Sequence, residues 1–156
     1  MNSTEIQTSQ PAVPIEDAVT AVVALFEQLS PAHVAQLDRY YAADSRFKDP
    51  FNEVQGVPAI RNIFTHMFAT LRAPRFIVTG RVVQRDQAFL TWEFHFYFQR
   101  WNKQTEQCVL GASHLEFNPD GLVVLHRDYW DAAEELYEKL PVLGSLMRWL
   151  RRQAST

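Results

Sequence analysis

The residues able to do chemistry in this chain lie in three places. Asp49 sits in Phe47-Lys48-Asp49-Pro50-Phe51. A carboxylate among apolar rings binds its proton more tightly than one in water, which suits it to act as a base. An Asp before Pro is equally a turn residue that bonds its own backbone. Between Thr91 and Gln99, Glu93, His95 and Tyr97 alternate with Trp92, Phe94, Phe96 and Phe98. Further on, His126, Asp128 and Trp130 occupy every second position. Two histidines and one carboxylate (His95, His126, Asp128) would suit an open metal site. No HxH or HExxH spacing accompanies them, and no metal is expected. Cys108 has no histidine near it in sequence and reads as a buried thiol. His33, His66 and His114 read as ordinary core or surface residues.

The elements that must position these groups follow from period and punctuation. Ile15, Ala18, Val19, Val22, Phe26 and Leu29 share a helix face. Ser30-Pro31 ends that helix and starts another, whose apolar stripe runs through Val34, Leu37 and Tyr41. Ser45 to Phe51 is a short extended piece. A third helix follows Gly56 and carries Val57, Ile60, Phe64, Met67, Phe68 and Leu71 on one face. Arg75–Arg85, Thr91–Gln99, Gln107–Phe117 and Leu122–Trp130 read as strands joined by turns, the firmest being Asn118-Pro119-Asp120-Gly121. Helical spacing returns at Ala132. Helices segregated from hairpin-linked strands predict an α+β fold with a mostly antiparallel sheet and the helices on one face.

Composition narrows the function classes. With 156 residues the chain makes about one domain. A net charge of −3 argues against a general nucleic-acid binder, which needs a basic face. One cysteine excludes an internal disulfide framework. No apolar run reaches the ~18 residues of a membrane span, and Met1–Gln10 is polar, so a cytoplasmic location is expected and membrane contact is not. Residues 1–13 read as a flexible tail, 14–131 as the domain and 132–156 as a C-terminal helical extension. In that extension Leu146, Met147, Trp149 and Leu150 lie beside Arg148, Arg151 and Arg152. It is either a lid on the domain or a basic amphipathic helix that touches a membrane or partner.

Three stretches carry a resemblance. They are Phe47-Lys48-Asp49-Pro50 with Gly56-Val57-Pro58-Ala59-Ile60-Arg61, then Ser113-His114-Leu115-Glu116-Phe117-Asn118, then His126-Arg127-Asp128-Tyr129-Trp130-Asp131. In this order they resemble the nuclear transport factor 2-like superfamily, which includes ketosteroid isomerase, limonene epoxide hydrolase and SnoaL-like cyclases. The resemblance covers roughly residues 15 to 131 and implies a cone-shaped curved antiparallel sheet with helices on its concave face. It implies that Asp49 matches the isomerase's general base, that Leu25 replaces its oxyanion-holding tyrosine and that Ser113 replaces its protonated acid. Loss of such donors removes much of the rate of an enolisation. Against the epoxide hydrolase, the final Asp is kept as Asp128, while Glu93 and His95 replace an Arg and an Asp.

The resemblance also implies sidedness. Plain patterning buries Trp92, Phe94, Phe96 and Phe98 under the helices. The resemblance instead turns Glu93, His95 and Tyr97 into the cone, pairing His95 with Asp128, and leaves the four rings on the outer sheet face, where a homodimer would cover them. The expected site is therefore Asp49, His95 and Asp128 as proton-transfer groups, with Leu25, Glu93, Tyr97, Ser113, His126 and Trp130 against the ligand. The expected ligand is a small apolar organic molecule with a carbonyl, epoxide or hydroxyl. Two functions fit: a cofactor-free isomerase, hydrolase or cyclase, or a non-catalytic binding or scaffolding module.

Overall fold

The computed structural model describes residues 13–100 and 103–135. Helix α1 (Ile15–Glu27) opens with Glu16 and Asp17 in its first turn, where the helix dipole favours negative charge. It buries Ala18, Val19, Val22, Leu25 and Phe26. Ser30 caps α2 (Pro31–Val34) by accepting from the His33 amide, with Pro31 at the first turn. A 3-10 turn, Leu37–Arg39, follows. The chain then becomes strand β1 (Tyr41–Lys48), β2 (Glu53–Gln55), helix α3 (Val57–Thr70), β3 (Leu71–Gln84), β4 (Gln87–Phe98), β5 (Gln107–Phe117), β6 (Val123–Tyr129) and α4 (Ala132–Glu135). The lid or basic helix expected from Leu143 to Arg152 lies outside the described residues.

Six strands form one curved sheet in the order β2-β1-β6-β5-β4-β3. Every pairing is antiparallel except β1 with β6, so the sheet is mixed. These two strands are far apart in sequence, and no hairpin constrains their relative direction. Helices α1 and α3 lie across the concave face. The α+β cone is therefore as expected. Two boundaries differ: Tyr41 starts a strand opposite Val123 rather than ending a helix, and Leu71 starts β3 rather than ending α3.

The sheet's sidedness corrects the reading from resemblance. Trp92 and Phe96 are 7% and 4% exposed and belong to the core with Phe26, Phe64 and Leu115. Phe94 stacks on Phe76 at 4.3 Å, and Phe96 and Phe98 continue the row. These rings face the helices. Glu93, His95 and Tyr97 are on the convex face. The reason is energetic: at about 25 cal/mol per Å2, burying four large rings far outweighs burying a carboxylate and an imidazole. The polar row meets its needs outside, where Glu93 bonds His95 and the Arg72 guanidinium lies over Tyr97. Trp92, Phe94, Phe96 and Phe98 therefore do not form the outer-face surface on which the resemblance places a homodimer, because they lie on the helix side of the sheet.

One glycine sets the depth of the concave face. Gly111 is directly opposite Trp92 in the β4–β5 register. A Cβ there would come within 2.2 Å of the indole Cη2. The indole lies flat across β5 because residue 111 has no side chain.

Candidate functional site

The concave face holds a buried polar chain in aromatic surroundings. β6 turns His126 and Asp128 inward, β5 contributes Ser113 opposite Asp128, β4 contributes Trp92 and β1 contributes Tyr41. Tyr41 Oη lies 2.7 Å from His126 Nδ1, and His126 Nε2 lies 2.8 Å from Asp128 Oδ1. Ser113 Oγ lies 2.5 Å from the same Oδ1, and Trp92 Nε1 lies 2.9 Å from Ser113 Oγ.

Donor chemistry orients the chain. An indole N–H only donates, so Ser113 accepts from Trp92 and gives its own proton to Asp128. Burial, and secondarily the Asp128 charge, pushes the Tyr41 phenol well above its ordinary range. Tyr41 therefore stays protonated and has a proton to give Nδ1; with that donation, the Nε2–H tautomer of His126 completes the chain to Asp128. Phe26 and Phe47 pack edge-on against the imidazole at 5.4 and 4.9 Å, which holds its plane. Among the described residues no hydrogen bond reaches Asp128 Oδ2, so one carboxylate oxygen is anchored twice and the other is not.

Asp128 also borders the empty space. A cavity of ≈ 440 Å3 opens between the sheet and α3, walled by Phe64, Phe76, Trp92, Phe94, Phe96 and Phe98, with Asp128 on its wall. A smaller void of ≈ 20 Å3 lies beyond, against Ser113, His126 and Asp128. That is room for about one water molecule with polar partners. No lysine or arginine lines either space among the described residues.

The other expected residues fall as follows. Asp49 is at the outer end of the cavity, but its carboxylate closes the turn. It accepts from the amides of Phe51 and Asn52 at 2.7 and 2.6 Å and from the Asn52 side chain. Trp130 stands nearby, edge-on to Phe51 at 5.3 Å. Leu25 is a buried core residue of α1 and lines neither space. Ser113, His126 and Asp128 meet one another. His95 does not meet Asp128: β4 turns it to the convex face, where its partner is Glu93. Glu93 and Tyr97 are outside with it. Sequence reasoning missed Tyr41, placed on a helix stripe, and Trp92, assigned to the wrong face. The shared parity of His126, Asp128 and Trp130 was the usable signal.

Comparison with known proteins agrees with this architecture. Residues 22–126 match the model of the SnoaL-like domain. The chain belongs to this family. The SnoaL-like chain also matches solved structures of the nuclear transport factor 2-like cone, at identities that establish the fold alone. A Catenulispora acidiphila protein with a ketosteroid isomerase-like fold, in complex with trimethylamine, has a TM-score of 0.65 at 18% identity, over 77% of this chain and 89% of its own. An LEH-like epoxide hydrolase from M. tuberculosis has a TM-score of 0.63 at 12% identity, over 88% and 91%. A structure named for a SnoaL-like polyketide cyclase from Shewanella putrefaciens has a TM-score of 0.64 at 14% identity, over 80% and 97%. No curated protein matches the SnoaL-like chain. No helix among its described residues is long and apolar enough to cross a membrane.

Proposed function

We propose that this SnoaL-like protein is a cofactor-independent acid–base enzyme acting on a small, largely apolar organic molecule held in the concave cavity, with Asp128 as the proton acceptor. The observation that carries the reading is the asymmetry of Asp128. Its Oδ1 is fixed by Ser113 and His126, no hydrogen bond among the described residues reaches Oδ2, and the residue lines the cavity. An anchored carboxylate keeps its reacting oxygen in one place, which general-base catalysis requires. Aromatic walls select an apolar body, and the Asp128 carboxylate selects a ligand with an acidic C–H, an O–H or a water to be deprotonated.

In the reaction, the substrate enters past Trp130 and packs on Phe76, Phe94 and Phe96. Asp128 Oδ2 takes a proton either from the substrate, as in an isomerase or cyclase, or from a water in the void beside it, as in a hydrolase. The Ser113 and His126 donors hold the carboxylate in place for that transfer. Asp128 returns that same proton to the product, to carbon in an isomerisation or to the opened oxygen in a hydrolysis, while His126 and Tyr41 hold the carboxylate in position. The fold neighbours named for an epoxide hydrolase and a polyketide cyclase support the reaction classes, and the trimethylamine complex supports a small organic ligand.

A second reading has one observation in its favour. Among the described residues no lysine or arginine lines the cavity, so a developing oxyanion meets no ammonium or guanidinium there, which suits a binding module. Turnover screened over epoxides and unsaturated ketones separates the two. The enzyme reading expects turnover that Asp128→Asn reduces by about 10²- to 10⁴-fold. Cavity binding, seen as a change in tryptophan fluorescence, without turnover of any probe supports the binding module.

A further inference from the structure

The convex face carries a second cluster that the concave site does not use. His95 and Cys108 are directly opposite in the β4–β5 register, and Glu93 is on the same face two residues along. Glu93 Oε2 lies 2.9 Å from His95 Nε2, and Cys108 Sγ lies 3.8 Å from that same nitrogen. The three donor atoms all lie within 4.8 Å of one another. A carboxylate oxygen and a thiol sulfur thus converge on one ring nitrogen, which carries at most one proton. From this convergence we propose that Glu93, His95 and Cys108 bind a divalent transition-metal ion of the zinc class on the convex face of the sheet.

An independent feature of the same ring points the same way. His95 Nδ1 is buried and has no hydrogen-bond partner. Glu106 Oε2 lies 3.7 Å from it. A metal on Nε2 places the ring proton on Nδ1, turning the orphaned atom into a donor that faces Glu106. A carboxylate behind a metal-bound imidazole is the usual outer partner of such a ligand.

The donor set and the charge fit that ion. One imidazole nitrogen, one sulfur and one carboxylate oxygen suit zinc in an open site with a fourth position free. Binding releases the Cys108 thiol proton and forms the metal–sulfur bond. Arg75 Nη2 holds Glu106 Oε1 at 2.7 Å. Counting Glu93, the Cys108 thiolate and Glu106 against Arg75, two negative charges remain for a divalent ion to neutralise. Donors on one tetrahedral ion stand roughly 3.3–3.8 Å apart, a spacing inside the 4.8 Å that the three donor atoms already span.

Titration of the full, reduced chain with Co²⁺ tests the proposal. The expected result is one ion per chain with a thiolate-to-cobalt charge-transfer absorption, displaced by Zn²⁺. Cys108→Ser should abolish the absorption, and His95→Gln should weaken Co²⁺ binding at least tenfold, while His114→Gln changes neither. A saturated Co²⁺ complex without that absorption, or unchanged affinity in His95→Gln, overturns the proposal. Zn²⁺ should also slow alkylation of Cys108 by N-ethylmaleimide in the unsubstituted chain. An unchanged alkylation rate overturns the proposal even where a variant fails to fold.

Discussion

The Tyr41 hydroxyl lies 2.7 Å from His126 Nδ1, although 85 residues separate the two in sequence. This contact ties the first long strand to the sixth and decides which imidazole nitrogen faces Asp128. Long-range proton–nitrogen NMR should show His126 as the Nε2–H tautomer near neutral pH. In Tyr41→Phe the preference should weaken or reverse. An Nδ1–H tautomer in the unsubstituted protein would break the chain that orients Asp128.

The Tyr41 phenol carries a consequence at alkaline pH. Burial first and the Asp128 charge second raise its proton affinity in the folded state. The unfolded chain releases the same proton near pH 10. A folded value above the unfolded one means that the stability contribution is complete below about pH 10 and is lost as pH rises toward the folded value. Denaturant unfolding from pH 8 to pH 11 should therefore show a decline that Tyr41→Phe makes shallower. Equal declines in both proteins would contradict this account.

Sidedness is tested by two adjacent residues. Phe96 is in the core and Tyr97 on the convex face. Phe96→Ala should cost about 3–5 kcal/mol, as buried Phe truncations do. Tyr97→Ala loses chiefly a surface contact with Arg72 and should cost about 1 kcal/mol or less. Chemical denaturation of the pair reads the difference directly, and a reversed order would restore the outward-facing rings.

Gly111 and Trp92 form a coupled pair. A methyl group at residue 111 meets the indole, so Gly111→Ala must displace the ring that holds the bond to Ser113. Overpacking of this kind costs about 1–3 kcal/mol. Trp92 fluorescence should shift together with the loss of stability. An unshifted spectrum with normal stability would mean that the indole does not need the space.

Much of the architecture was legible in the sequence because it rests on local signals. The alternation of β4, the Asn118 turn and the three-and-four spacing of α1 each constrain a short stretch of backbone. Which face of β4 turns inward is a tertiary property, since period two fixes that two faces exist and not which one meets the helices. The same limit hid the site. His126, Asp128 and Ser113 could be shortlisted by parity and resemblance. The contact of Tyr41 with His126 depends on a parallel β1–β6 pairing that no local pattern announces. Asp49 shows the opposite case, where an Asp-Pro motif supports both a base and a turn, and the Phe51 and Asn52 amides reveal the turn geometry.

The most direct test of the central claim compares two carboxylate or imidazole substitutions on opposite faces of the sheet. On whichever epoxide or unsaturated ketone the protein turns over, kcat/KM should fall about 10²- to 10⁴-fold in Asp128→Asn and stay within twofold in His95→Gln. Full activity in Asp128→Asn, or a collapse in His95→Gln with Asp128→Asn unaffected, would contradict the assignment of the chemistry to the concave face.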